Sequence, residues 1–277
     1  DLPERDCRLA LSSLMSSFQT DGRHPVLIIT GPCQSGKTRM AMDLRQLVDS
    51  HPVPLLPMPN DDRELKVAVL DNAILAFDNV VKVPLKEELL ALAAGTALRF
   101  PGWSQPVQCR RPIIMVCRDL PDAPDLLENA IILRLRERPA QALKSRSELD
   151  RRFSEQHPKA GGSLVKACSL ALEHRKTIKL DAVHNDAELE RWNRALDKGL
   201  NLGGKMLAAL QHNLEQTLAD IVKERPAIRA FVALVKAKGT VKATATQLLD
   251  EIEPFLDGPK VARYPTTSKQ LAKLLRD

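Results

Sequence analysis

Apolar blocks of strand length alternate with amphipathic stretches through the first half of the chain, and such blocks disappear from the second half. VLIIT at 26–30, the run at 73–77, PIIMV at 112–116 and the run at 130–135 are nearly uninterrupted aliphatic segments, as strands buried on both faces of a parallel sheet require. Helical spacing fills the intervals. In TRMAMDLRQLVDS, Met40, Leu44 and Leu47 fall on one side, and VPLKEELLALAAGTALRF reads as helix to about Ala94. Strands separated by helices predict an α/β fold with a parallel sheet. From Ser145 onward only helical periodicity remains, with helices expected near 146–155, 163–175, 186–200 and 204–236 and breaks at the glycine pairs 161–162 and 203–204. Trp192 shares a helical face with Leu189 and Leu196, which predicts a packing role. In the tail, Thr244 or Thr246 can cap a helix running to Phe255, and Thr267 or Ser268 a last one, SKQLAKLLRD.

The turn after the first apolar block carries the densest chemistry. GPCQSGKT places Gly31, Gly36, Lys37 and Thr38 in the pattern GxxxxGK[ST], between a credible strand and a credible helix. In that setting main-chain N–H groups of Gly31, Pro32, Cys33, Gln34, Ser35, Gly36, Lys37, Thr38 and Arg39, proline excepted, are candidates to wrap phosphates. The Lys37 ammonium would reach the β and γ oxygens, and the Thr38 hydroxyl would bind Mg2+. The helix N-terminus adds a favourable dipole. ATP with Mg2+ is the expected ligand. The second block ends in Asp78 and Asn79. A carboxylate at the C-terminal end of a neighbouring strand can hold the metal against Thr38, whereas Asn79 can orient water but cannot take up a proton. Lys37, Asp78 and Asn79 are therefore the catalytic candidates. A bland alternative exists for each: a glycine turn beside an exposed lysine, and an Asp-Asn turn at a strand end.

The order GPCQSGKTRM, LVDSHPVPLLPMPNDDRELKVAVLDNAILAFDNV, AAGTALRF, RRPIIMV and APDLLENAIILRL resembles the ATPase region of phage and mobile-element replication proteins. These are AAA+ ATPases similar to superfamily 3 and MCM-like helicases and to the primase-helicases of large viruses and plasmids. The resemblance runs from about residue 25 to the end, RSELDRRFSEQHPKAGGSLVKACSLAL and DAELERWNRAL resembling the helical lid. It implies a helical linker at 1–22, an AAA+ core at 23–140, a helical lid at 141–238 and a winged-helix-like DNA-binding segment at 239–277. It also implies a ring, commonly a hexamer, that hydrolyses ATP between subunits and draws single-stranded DNA through a central pore. The segment framed by Arg99, Arg110 and Arg111 would form the pore loop, with Trp103 at its tip. In the tail, Lys269 and Lys273 would lie near the phosphates of double-stranded DNA.

Three positions depart from the family's pattern. Asn129 stands where an arginine finger is usual, Val116 and Cys117 followed by Arg118 where a polar residue ends the third strand, and His184 and Asn185 ahead of Trp192 where the lid offers an arginine. An arginine finger contributes a thousandfold or more to turnover in dissected cases, so hydrolysis would be slow unless Arg118, Arg134 or Arg136 replaces it. That keeps a second class open, an ATP-binding assembly or DNA-binding module without turnover. A small-molecule kinase is disfavoured: such an enzyme needs a substrate pocket and a clamping lid of arginines, and the long helical half with its winged-helix-like tail gives no sign of a pocket.

Composition changes this picture little. The 277 residues are 44% hydrophobic, enough for one large domain with an appendage or for two. The net charge of +6 suits a nucleic-acid binder, and only 3% aromatic residues argues against base-stacking platforms, leaving phosphate contacts to dominate. Five cysteines without a CxxC pair indicate neither a zinc ribbon nor a disulfide framework and read as reduced thiols. No apolar run is long enough to span a bilayer and the first residues are too charged for a signal peptide, so a cytoplasmic protein without a membrane partner is expected. The missing initiator Met fits a trimmed chain with a further domain before Asp1.

Overall fold

The computed structural model describes residues 2–19, 21–139, 141, 144–180, 187–256 and 267–274, the side chains of Glu224, Lys273 and Leu274 excepted. The chain forms a mixed α/β structure around a four-stranded parallel sheet. Strands β1 (Val26–Thr30), β2 (Leu75–Val80), β5 (Ile113–Cys117) and β6 (Ala130–Arg134) lie in the order β2-β5-β1-β6. Leu27 pairs with Ile114 on one side and Ile131 on the other. The segment at Leu56 extends the sheet beyond β2: Leu56 N–H donates to Ala76 O at 2.8 Å, and Asp78 N–H donates to Leu56 O at 3.0 Å. All five residues of β1 and of β5 are buried, which explains why these strands read as unbroken aliphatic runs.

The four expected strands occur, with one informative shift. The second does not stop at Phe77. It continues as β2 to Val80 through a bulge between Phe77 and Val80, so Asp78 and Asn79 sit inside the strand's irregular end. Asn79 adopts φ 53°, a left-handed conformation that asparagine tolerates better than most residues.

Helices α1 (Glu4–Ser16), α2 (Lys37–Gln46), α3 (Asp62–Asp71), α4 (Lys86–Ala94) and α5 (Pro124–Glu128) surround the sheet. Leu9 and Ala10 of α1 and Ala41 of α2 join Leu27, Ile29, Ala76, Ile114, Val116, Ile131 and Leu133 in one apolar cluster. The segment expected as a linker at 1–22 thus carries a helix that is part of the core. Between α4 and β5, β3 (Thr96–Leu98) and β4 (Val107–Cys109) form an antiparallel hairpin.

Helix α6 (Arg146–Arg175) corrects the expectation of a break at Gly161-Gly162: it is one helix, and it also contains Pro158. A helical glycine costs only about 1 kcal/mol relative to alanine. Leu164, Ala167 and Ala171 beyond the pair pack against Trp192, Ala195 and Leu196 of α7 (Ala187–Gly199), with Leu14 and Met15 of α1. Before the pair, Glu148–Arg152 and Arg151–Glu155 ion pairs add i,i+4 support. The expected helix at 204–236 is two, α8 (Lys205–Glu224) and α9 (Pro226–Lys238), because Pro226 has no N–H for a preceding turn but suits a first helical position.

Two compact units divide between Asn213 and Leu214. The first ends in α8, where the Asn213 amide seals the outer edge of β6: its Oδ1 accepts from Ile132 N–H at 3.0 Å, and its Nδ2 donates to Ile132 O at 2.7 Å. In the second, α9 packs with α10 (Ala245–Ile252), a 3-10 turn (Glu253–Phe255) and α11 (Ser268–Leu274) around Leu234, Leu248, Ile252 and Leu271. Thr244 caps α10 in a reciprocal box with Gln247, and Thr267 accepts from Gln270 N–H at 3.3 Å. Among the described residues no helix is long and apolar enough to cross a membrane.

Candidate functional site

The loop 31–36 joins β1 to α2 at the C-terminal edge of the parallel sheet, where open α/β folds bind their ligands. Its course depends on two glycines. Gly31 has φ 148°, and a Cβ there would run into the Leu135 carbonyl oxygen. Gly36, with φ 90°, is the N-cap of α2. The first-turn amides of α2, directly after the loop, have no acceptor within the helix, the arrangement that holds anions at helix N-termini. Ser35 is 1% exposed and its Oγ has no hydrogen-bond partner, an orphaned buried hydroxyl inside the turn.

Lys37 is folded over the loop itself. Its ammonium donates to Gly31 O at 2.7 Å and to Pro32 O at 2.6 Å. Thr38 Oγ1 donates to Asp78 Oδ1 at 3.2 Å, so α2 and the bulged end of β2 meet at two oxygen-bearing side chains. Asp78 Oδ1 also accepts from Asn79 N–H at 2.9 Å. These oxygens suit a hard cation such as Mg2+, which needs only one or two protein ligands when phosphates supply others. Among the described residues no group of three or more His, Cys, Asp or Glu side chains gathers as a metal site. The orphaned Ser35 hydroxyl, the glycine-shaped loop and the Thr38–Asp78 pair fit a magnesium-bound triphosphate.

Other expected site residues are placed differently. The Arg39 guanidinium turns to α6, donating to Asp43 at 3.0 Å and to Asp150 and lying over the Phe153 ring. Cys33 is exposed in the loop. Cys117 is buried at the end of β5, and burial pushes its thiol up to about 12 although Lys37 acts in the opposite direction. It stays a neutral thiol near the site. Asn129 receives a hydrogen bond from Arg23 and donates to Asp125 O at 2.7 Å. Arg118 and Arg136 are exposed, and Arg134 lies on β6. His184 and Asn185 lie outside the described residues.

The hairpin carries Trp103 in its turn, 55% exposed and tilted against Phe100 at 5.5 Å between ring centroids. Arg99 is exposed beside it. Arg110 lies against Gly95, its Nε 3.0 Å from where a Cβ would sit. The Arg111 guanidinium donates to Asn72 O at 2.9 Å and Val69 O at 3.1 Å, capping the C-terminal end of α3, and to Arg110 O. Lys269 is exposed on α11, and the Lys273 side chain lies outside the described residues.

Sequence alone missed Arg45. It is 0% exposed and donates to Val53 O at 3.0 Å, Pro54 O at 2.8 Å and Asn72 Oδ1 at 2.6 Å, with Asp49 as its ion-pair partner at 3.2 Å. It therefore holds α2 to the segment that leads into Leu56, whose carbonyl receives the Asp78 N–H. A cation four residues after Ala41 on the apolar side of α2 is the one sequence signal of that role.

No protein-family model matches the chain, and no curated protein matches it in sequence. Solved structures similar to it in chain course include an active helicase, Cch, of SCCmec type IV (12% identity, TM-score 0.42, 88% of this chain and 51% of that one). The apo C-terminal region of NrS-1 is similar at 13% identity and TM-score 0.43, over 91% of this chain and 62% of that one. The JCV helicase is similar at 16% identity and TM-score 0.38, over 78% and 62%. The chain thus spans between half and two thirds of the length of these structures, and none of them assigns a residue or an activity to it.

Proposed function

We propose that the chain is an ATP-dependent DNA translocase or helicase of the AAA+ type, from the replication machinery of a mobile element and active as a ring. The observation that carries this is the meeting of Thr38 and Asp78 across the mouth of a glycine-shaped loop, with the orphaned Ser35 hydroxyl inside it. Loop amides and the Lys37 ammonium bind the triphosphate, and Lys37 exchanges the Gly31 and Pro32 carbonyls for phosphate oxygens. Thr38 and Asp78 hold Mg2+, which when bound neutralises charge on the β and γ oxygens. Asn79, exposed and held in a left-handed turn, orients the attacking water by hydrogen bonding. The exposed Arg99 and Trp103 of the hairpin grip the single strand; separately, the exposed Lys269 of the second unit contacts phosphates of double-stranded DNA.

A different class is favoured by one pair of observations: Asn79 supplies no base, and the Asn129 carboxamide is engaged by Arg23 and the Asp125 carbonyl. On that reading ATP sets the assembly state without being turned over. Phosphate release measured with and without single-stranded DNA, alongside sedimentation in ATP and in a non-hydrolysable analogue, tests both. DNA-stimulated release absent from Lys37→Ala supports the motor. Nucleotide-dependent assembly without release supports the switch and overturns the motor.

A further inference from the structure

The segment after β6 closes over the phosphate loop, and one of its side chains has no function in the account above. Leu135 N–H donates to Thr30 O at 2.8 Å, continuing the ladder one residue past the strand, and the Leu135 carbonyl lies against Gly31. Three residues on, the Arg138 guanidinium lies against the other end of the loop. Its Cζ and Nη2 are each 3.0 Å from where a Cβ on Gly36 would sit, and its Nε is 3.4 Å away. The stretch 135–138 therefore spans the loop from its first glycine to its last. A Cβ at Gly36 would require this guanidinium to give by a few tenths of an ångström.

The charge at this place is unusual. Gly36 caps α2, whose first turn presents the positive end of the helix dipole and unsatisfied N–H groups. A guanidinium set there adds like charge to like, and no carboxylate among the described residues pairs with Arg138. Near the site, the half-buried Arg39 is paired with Asp43 and Asp150, and the exposed Arg118 lies beside Asp119. The orphaned Ser35 hydroxyl, buried one residue before Gly36, points independently to a missing polar ligand in the same turn. An anion bound at the loop satisfies all three: the amides, the hydroxyl and the guanidinium.

We propose that Arg138 contacts the phosphates of the nucleotide bound by its own subunit, an arginine supplied in cis from the end of β6. This rests on the phosphate loop binding a nucleoside triphosphate as proposed above. Guanidinium donors fit phosphate oxygens in pairs, and Arg138 needs no rearrangement of the sheet to reach them because β6 is ladder-bonded to β1 beside the loop. The contact grows with the charge of the ligand, so its effect is larger for ATP than for ADP.

Calorimetric titration of the full chain with Mg-ATP, Mg-ADP and adenosine tests it, comparing wild type with Arg138→Ala, Arg138→Lys and Arg151→Ala. Arg151 is exposed on α6 and paired with Glu155, so its substitution removes the same charge at a distance from the loop. The expected result is a loss of about tenfold or more in ATP affinity for Arg138→Ala, the scale of a hydrogen bond to a charged group. The loss is smaller for ADP, partly restored in Arg138→Lys, and absent in Arg151→Ala. A wild type that binds ATP while Arg138→Ala binds it equally well overturns this proposal alone. Equal losses for ATP and for adenosine also overturn it, since they indicate damage to the fold. A wild type that binds no nucleotide overturns the premise with it.

Discussion

The Thr38 hydroxyl donates to the Asp78 carboxylate at 3.2 Å, joining the first turn of α2 to the bulged end of β2. Neither residue touches the other through any local feature of sequence. The parallel pairing of β2 with β5 and of β5 with β1 brings them together at one edge of the sheet. Replacing Asp78 by Asn keeps the hydrogen bond's shape and removes the charge a divalent ion needs. Asp78→Asn is expected to lower ATP turnover at least tenfold and to weaken the dependence of nucleotide affinity on Mg2+. Phosphate release and titrations with and without chelator read the two effects.

Two cysteines near the loop should differ in reactivity, and the exposed one should report ligand binding. Cys33 is exposed in the turn, whereas Cys117 is buried with its thiol held near 12. Alkylation near neutral pH is expected to modify Cys33 and spare Cys117, and Mg-ATP is expected to slow the reaction at Cys33. Peptide mapping by mass spectrometry after timed labelling distinguishes the sites.

Arg45 predicts a stability effect. Its removal takes the guanidinium from the Asp49 carboxylate and from Asn72 Oδ1 and frees the Val53 and Pro54 carbonyls. Arg45→Ala is expected to cost about 3 kcal/mol or more, the scale for breaking a buried ion pair on one side. Denaturant unfolding measures it. A Met at this position, which fills the volume without donors, is expected to recover part of the packing but not the hydrogen bonds.

Acid dependence follows from Asp21. The hydrogen bond from Arg175 holds its carboxyl below the ordinary value of 3.8, outweighing the opposing effect of burial. Arg175 donates to Asp21 at 2.6 Å and to Glu188 at 2.7 Å, and lies over the Trp192 ring. A depressed carboxylate stabilises the fold above pH 3.8, and this is lost as pH falls through its lower folded value. Asp21→Asn is expected to cost less than about 1 kcal/mol at neutral pH, as an exposed pair should. The difference from wild type is expected to close below pH 3.8. Thermal unfolding across pH, followed by the buried Trp192, measures it.

The strands and the loop were legible because their causes are local: aliphatic blocks, glycines at two positive-φ positions, a lysine and a threonine at fixed offsets. The continuity of α6 was not, because Pro158 and the glycine pair are local breakers whose cost is outweighed by packing on α7 and α1, which sequence does not display. Arg111 reads from the sequence as part of the pore-loop frame, and its cap on α3 leaves no mark there because its acceptors are main-chain carbonyls, which every residue has. Arg138 and Arg45 were invisible as site residues for the same reason. Their neighbours are chosen by strand order and by a helix's buried face, not by spacing along the chain. Likewise, the Ser12–Asn193 hydrogen bond at 2.7 Å ties α1 to α7 without any sequence mark.

Isothermal titration of wild type and Lys37→Ala tests most directly whether the turn between β1 and α2 binds Mg-ATP. Saturable heat for wild type that disappears in the folded Lys37→Ala variant is the predicted result. No heat for wild type, or the same affinity in both proteins, contradicts it.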